Sequence, residues 1–306
     1  MTKVIEADRG FKVWWHLTRP HTLTASFVPV FLGTAIAAMS KHDINLLLFF
    51  AMLIASMLIQ AATNMFNEYY DYKRGLDNEN SVGIGGTIVR HGVAPRTIML
   101  IALSFYAIAL LLGIYICASS SWTLALVGLV CMLIGYLYTG GPYPIAYSPF
   151  GELVSGLVMG MGIVLIAYFI QTGTITLDAV LLSVPSMILV GAIMLSNNIR
   201  DIVGDTEGGR KTLAILVGRD RAVTILSLFF IVSYLWIIGL VVIDGITAFS
   251  LLIFLSIAKP LKAITIFRTF KEPKDVMPAM KFTAQTNTIF GFLLGVGLLI
   301  SHFFFA

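Results

Sequence analysis

Charge is what this sequence has least of. Lys, Arg, Asp and Glu make up 12% of its 306 residues, against about 25% in soluble domains. That scarcity, with a mean hydropathy of +0.91, excludes an ordinary water-soluble domain. Cysteine is nearly absent too. Cys117 and Cys131 both fall in apolar stretches, so they read as small buried side chains, with no spacing for a disulfide framework or a thiolate metal site. No small-residue cleavage site follows a short apolar core, so the first apolar stretch is expected to be a span and not a signal peptide.

Long apolar runs are plentiful. Nine segments of about 20 residues read as membrane spans: 22–39, 45–66, 98–117, 122–139, 152–171, 178–198, 223–243, 246–266 and 283–305. Only closed hydrogen-bonded elements survive in lipid. The expected fold is therefore all-α, a multi-span transmembrane helix bundle of nine helices in one domain over 1–306. Residues 1–20 form a cytosolic or interfacial segment, with Phe11, Trp14 and Trp15 as an aromatic anchor. With nine spans, nineteen of the twenty Lys and Arg fall on one side and only Lys41 on the other. Cations favour the cytoplasmic side. The N-terminus is expected inside the cell membrane, the C-terminus outside, and no nucleic-acid partner is needed to explain the basic pI.

Two inward connections are long, residues 67–97 and 199–222, and long loops in compact proteins carry function. The first opens within "NMFNEYYDYKRGLDNEN" (64–80) and the second within "NNIRDIVGDTEGGRKTLA" (197–214). Asn64, Asn67 and Asp71 stand at i, i+3, i+7, and so do Asn198, Asp201 and Asp205. On a helix each trio shares a face. Asp71 and Asp201 lie 130 positions apart, about four spans, which suggests two pseudo-repeated four-helix units plus one. Half of the 16 acidic residues sit in these two loops, among Lys73, Arg74, Arg90, Arg200, Arg210, Lys211 and Arg219. Ordinary solvated helix ends would give such polar clusters as well, but that reading leaves the matched spacing unexplained.

Carboxylates and amides on one helix face suit a hard cation such as Mg2+, which keeps waters and shares a phosphate. Nearby Lys and Arg would bind the remaining phosphate oxygens. Gly75 is expected to break the helix so that Asp77 turns back, and "GIGG" (83–86) and "GG" (208–209) allow close backbone approach. A diphosphate held at a bilayer edge implies a lipid tail within it, hence an isoprenoid diphosphate. Ionisation of its C–O bond would leave an allylic cation that aromatic faces stabilise. Tyr69, Tyr70, Tyr138, Tyr143 and Tyr147 are candidates for that wall.

The two clusters resemble the paired Asp-rich motifs of the UbiA-type intramembrane prenyltransferases. The first motif matches Asn67, Asp71 and Asp77, with Asn64 one turn earlier, and the second matches Asp201 and Asp205. "TRPHTLTASFVPVFLGTA" (18–35), "GGTIVRHG" (85–92) and "GPYPIAYSPFGE" (141–152) are similar to the menaquinone branch of that family, the dihydroxynaphthoate polyprenyltransferases. The resemblance implies Mg2+-dependent transfer of a polyprenyl group from polyprenyl diphosphate to 1,4-dihydroxy-2-naphthoate, with loss of CO2 and diphosphate. It implies Asn67, Asp71, Asp77, Asp201 and Asp205 as catalytic and metal-binding. Lys73, Arg200, Arg210 and Lys211 are expected at the phosphates. Arg90 with His91 is expected at the acceptor carboxylate, Tyr143 and Tyr147 at its ring, and Asn197 and Asn198 behind the second motif. The family pattern carries Asp where this chain has Glu68, so Glu68 is left out of the ligand set. Homogentisate or hydroxybenzoate as acceptor is the alternative within enzymes. A transporter is the alternative outside them, but its site would lie near the midplane, whereas both clusters lie at one face.

Overall fold

The computed structural model describes residues 10–20, 22–40, 43–77, 86–243 and 245–305. Lys41, Glu79 and Gly83–Gly85, used above, lie outside the described residues. Among the described residues every regular element is helical. Helices α1 (Phe11–Thr18), α2 (Thr24–Met39), α3 (Leu46–Lys73), α4 (Thr87–His91), α5 (Pro95–Ser119) and α6 (Thr123–Leu137) make up the first half. One span over 151–172 follows, in which α7 (Gly151–Ser155) and α8 (Ile163–Thr172) flank a π-helical stretch, Gly156–Gly162. Then come α9 (Leu177–Glu207), α10 (Leu213–Val217), α11 (Arg219–Val242), a 3₁₀ stretch (Ala248–Ser256) leading into α12 (Ala258–Thr269), and α13 (Met277–Phe305).

Helix boundaries follow local chemistry. The Asn45 side chain accepts from the Leu47 and Leu48 amides at the start of α3, Thr176 accepts from Ala179 N–H at the start of α9, and Pro95 opens α5, where its missing N–H costs nothing. Gly156 and Gly160 leave no room for a Cβ against Met187 and Ser186, so the π-helical stretch packs directly on the α9 backbone. The largest core cluster joins α2, α8, α9, α11 and α13 through residues such as Leu32, Tyr168, Leu189, Leu195, Phe230 and Phe290.

The count of nine spans is not met as such. Seven helical segments are long and apolar enough to cross a membrane, and two of the expected spans form shorter apolar helices, α2 with 16 residues and α6 with 15. Short helices α1, α4 and α10 raise the total further. The expected loop starts also shift. α3 runs on to Lys73 and α9 to Glu207, because the polar trios keep the helical period after the apolar residues end. α6 buries none of its residues. It forms the wall of a cavity and not a packed core helix.

Candidate active site

The C-terminal ends of α3 and α9 meet. Each helix ends by the same device. Gly75 adopts φ +75° and Gly209 φ +75°, a left-handed conformation that a Cβ disfavours. The Leu76 amide then returns to the Asp71 carbonyl at 2.9 Å, and the Arg210 amide returns to the Asp205 carbonyl at 2.9 Å. Leu76 packs so closely on Gly208 that a Cβ there would lie 2.0 Å from its Cδ2. Asp71 therefore corresponds to Asp205, the register in which the two trios match.

Two helix C-termini, each carrying partial negative charge, and two carboxylates now occupy one place, and a cation is required. Arg210 supplies it. Its Nη2 donates to Asp71 Oδ1 at 2.5 Å and its Nη1 to Asp205 Oδ1 at 2.9 Å. Burial works against the Arg210 charge, but Asp71 and Asp205 outweigh it and hold the guanidinium protonated above the ordinary arginine range. The Tyr147 ring has Arg210 on it at 5.3 Å and Arg74 at 5.4 Å. Arg74 also donates to the carbonyls of Thr139 and, at 2.9 Å, of Gly141. Thr139 Oγ1 in turn donates to Asn67 Oδ1 at 2.7 Å.

Asp77 comes back toward Asp71 once Gly75 has reversed the chain. Burial, followed by the charges of Asp71 and Glu68, pushes its carboxyl up to about 6. Asp201 is gripped by its neighbour Arg200 at 2.6 and 2.5 Å, and Arg200 also reaches the sulfurs of Met277 and Met280 on α13. Asn64 donates to the Thr18 carbonyl and to Thr22 Oγ1, so it ties α3 to the end of α1 and the turn that precedes α2. Asn198 donates to Glu152 Oε1 at 2.9 Å, and Asn197 lines the cavity described below. Lys73 and Lys211 stand exposed at the face of the cluster, while Arg90 and His91 are half-buried on α4. Tyr143 is 91% exposed.

Glu68 is fully buried, close enough to Asp71 and Asp77 for its charge to act on both. It accepts from the Gly86 amide at 2.9 Å and the Ile88 amide at 3.3 Å, and pairs with Arg19 at 3.3 Å. It therefore fixes α4 to α3.

Among the described residues, no three Asp, Glu, His or Cys side chains converge to enclose a metal by themselves. The donors present are nonetheless oxygen donors in two facing groups, and Asp205 Oδ2 is buried without a partner. Such a set fits Mg2+ that arrives with phosphate and water completing its shell.

A cavity of about 430 Å³ opens beside the cluster. Arg19, Asn64, Asn67, Tyr138 and Asn197 line its motif end, and Cys117, Trp122 and Leu124 its far end. The four motif aspartates, Asp71, Asp77, Asp201 and Asp205, are not among the described residues that line it, nor are Lys73, Arg200, Arg210 and Lys211, nor Arg90, His91, Tyr143 and Tyr147. Sequence reasoning missed Arg19 and Arg74 as site residues. Arg19 has φ 49°, the one non-glycine positive φ among the described residues, and such strain gathers at functional sites. Its only sequence signal is an Arg-Pro step just before the first apolar run.

Residues 26–289 match the UbiA prenyltransferase family. The chain belongs to that family. It is 61% identical to the 1,4-dihydroxy-2-naphthoate octaprenyltransferase of Bacillus subtilis, over 95% of this chain and 94% of that one. It is 25% identical to the enzyme of the same name from Haemophilus influenzae, over 96% and 97%. Among solved structures, a UbiA homologue from Archaeoglobus fulgidus bound to DMAPP and Mg2+ superposes with a TM-score of 0.65 at 17% identity, over 92% of this chain and 99% of that one. This last likeness is one of fold. The chain is thus a UbiA-family, multi-pass membrane protein in which Asn67 of the first motif lines a cavity beside the paired motifs.

Proposed function

We propose that this UbiA-family chain transfers a polyprenyl group from its diphosphate to 1,4-dihydroxy-2-naphthoate, at the ring carbon that bears the carboxylate. CO2 and diphosphate leave, and the product is demethylmenaquinone. The observation that carries the reading is the 61% identity to the Bacillus subtilis enzyme across 95% of the chain. The geometry agrees with it: a charged clamp beside a largely apolar cavity suits a charged head on an oily tail.

Asn67, Asp71, Asp77, Asp201 and Asp205 are the residues that would hold Mg2+. When bound, the ion neutralises charge on the departing diphosphate. Arg210, already placed between Asp71 and Asp205, is the nearest guanidinium for a phosphate oxygen, with Lys73, Lys211 and Arg200 around it. Tyr138 lines the cavity and would present its ring to the allylic carbon. The apolar wall of α5 and α6 receives the tail and keeps water from the cation. The distribution of Lys and Arg along the sequence favours the cytoplasmic face for the clamp, with the N-terminus inside and the C-terminus outside.

Purified protein given one prenyl diphosphate and a panel of naphthoate, homogentisate and hydroxybenzoate tests the reading. Mass spectrometry should find a prenylated, decarboxylated naphthalene ring. Product from another acceptor, with none from naphthoate, overturns it.

A further inference from the structure

The cavity has two unlike walls. The α5 and α6 wall is apolar, and there Gly113 and Gly128 leave open space. The α3 wall carries Ser56, Gln60, Thr63, Asn64 and Asn67, all of which line the cavity. Those positions follow the helical period along one face, from the motif deep into a segment without charge. A prenyl tail has no use for them. Polar groups at this depth face a function by default.

One of them is prepared for a partner. The Gln60 amide donates to Asn64 Oδ1 at 3.3 Å, while Asn64 is held by Thr18 and Thr22. Gln60 is therefore oriented from the mouth side. Across from it, Ser26 on α2 lines the same cavity, is 1% exposed, and its Oγ has no hydrogen-bond partner. α2 and α3 run antiparallel, and Thr22 meets Asn64. One turn onward on α2 and one turn back on α3, Ser26 and Gln60 come level with each other. That level is about 6 Å deeper than Asn64.

We propose that Ser26 and Gln60 form the hydroxyl-reading ledge of the aromatic acceptor site. Resting on the prenyl-transfer reading above, the pose is as follows. The acceptor's reacting carbon and its carboxylate face the basic mouth. The hydroxyl on the 4-position, remote from the carboxylate, points inward to Ser26 Oγ and the Gln60 amide. The ring lies along α2 and α3, and the tail occupies the opposite wall. Acceptor and tail thus share one cavity by dividing its two faces.

The test compares 1,4-dihydroxy-2-naphthoate with 1-hydroxy-2-naphthoate, which lacks the inward hydroxyl, as competing ligands in detergent. A site built to bond a hydroxyl rejects the analogue that lacks it. Wild type should bind the analogue about 10- to 100-fold more weakly. In Gln60→Leu the acceptor KM should rise by about that factor, the discrimination should vanish, and the KM for prenyl diphosphate should stay put. Ser26→Ala should give the same pattern with a smaller change. Unchanged discrimination in both variants, or a diphosphate KM that rises in step, overturns the ledge. A wild type that prenylates hydroxybenzoate and not the naphthoate overturns the acceptor reading alone. The ledge is then judged by whether Gln60→Leu loses discrimination between hydroxybenzoate and benzoate.

Discussion

Asp71 and Asp205, from helices that end 134 positions apart in the chain, are bonded to the same Arg210 guanidinium, at 2.5 and 2.9 Å. One cation holds both acidic motifs before any ligand arrives. The guanidinium offsets part of the negative charge at the helix ends, and a diphosphate with its metal enters a site whose carboxylates are already positioned.

Removing that cation should hurt both fold and catalysis. Breaking a largely buried pair costs about 3 kcal/mol, and losing one charge stabiliser costs roughly 10²- to 10³-fold in turnover. Arg210→Ala should therefore lower the apparent Tm in detergent and cut kcat by at least about 10²-fold. Mg2+ should raise the Tm of the variant more than that of wild type, since it relieves the repulsion between Asp71 and Asp205. Thermal shift with and without Mg2+ checks this.

The two glycine turns make a paired prediction. Gly75→Ala and Gly209→Ala each force a Cβ into a left-handed residue, at about 1–2 kcal/mol. Each also displaces the residue that the turn brings back, Asp77 in one case and Arg210 in the other. Activity should fall more steeply than stability in both variants, as read by turnover beside thermal unfolding.

Glu68 should behave as structure. Its carboxylate is spent on Arg19 and the amides of Gly86 and Ile88. Glu68→Gln keeps an acceptor oxygen and should retain turnover within about tenfold while losing about 1–3 kcal/mol of stability. A complete loss of Mg2+-dependent turnover at unchanged stability would make it a ligand instead.

Metal removal gives a further check. Chelation should abolish product, and Mg2+ should restore it, because the donor set is all oxygen and no imidazole or thiolate lies in it. Restoration by Mg2+ alone, followed by product mass, is the measurement.

Much of this was legible in the residues. Apolar runs placed the helices, and the i, i+3, i+7 trios announced their shared faces, since both signals are local. The reversal at Gly75 was legible for the same reason. The extension of α3 to Lys73 and α9 to Glu207 was hidden by hydropathy, which falls before the helix stops. The choice of Arg210 among many cations was not legible, because it depends on two helix ends meeting in space. Arg19 escaped because a left-handed backbone leaves no mark on composition. Gln60 and Ser56 stood in plain sight within an uncharged run. Their meaning needed the opposite wall of the cavity.

The joint clamp is tested most directly by the affinity of the detergent-solubilised chain for a prenyl diphosphate, measured with and without Mg2+ in wild type, Asp71→Asn, Asp205→Asn and the double variant. Either single change should remove the Mg2+-dependent gain, and the double change should add little, since the two carboxylates act as one unit. Full Mg2+-dependent binding in either single variant, or losses that simply add, would contradict it.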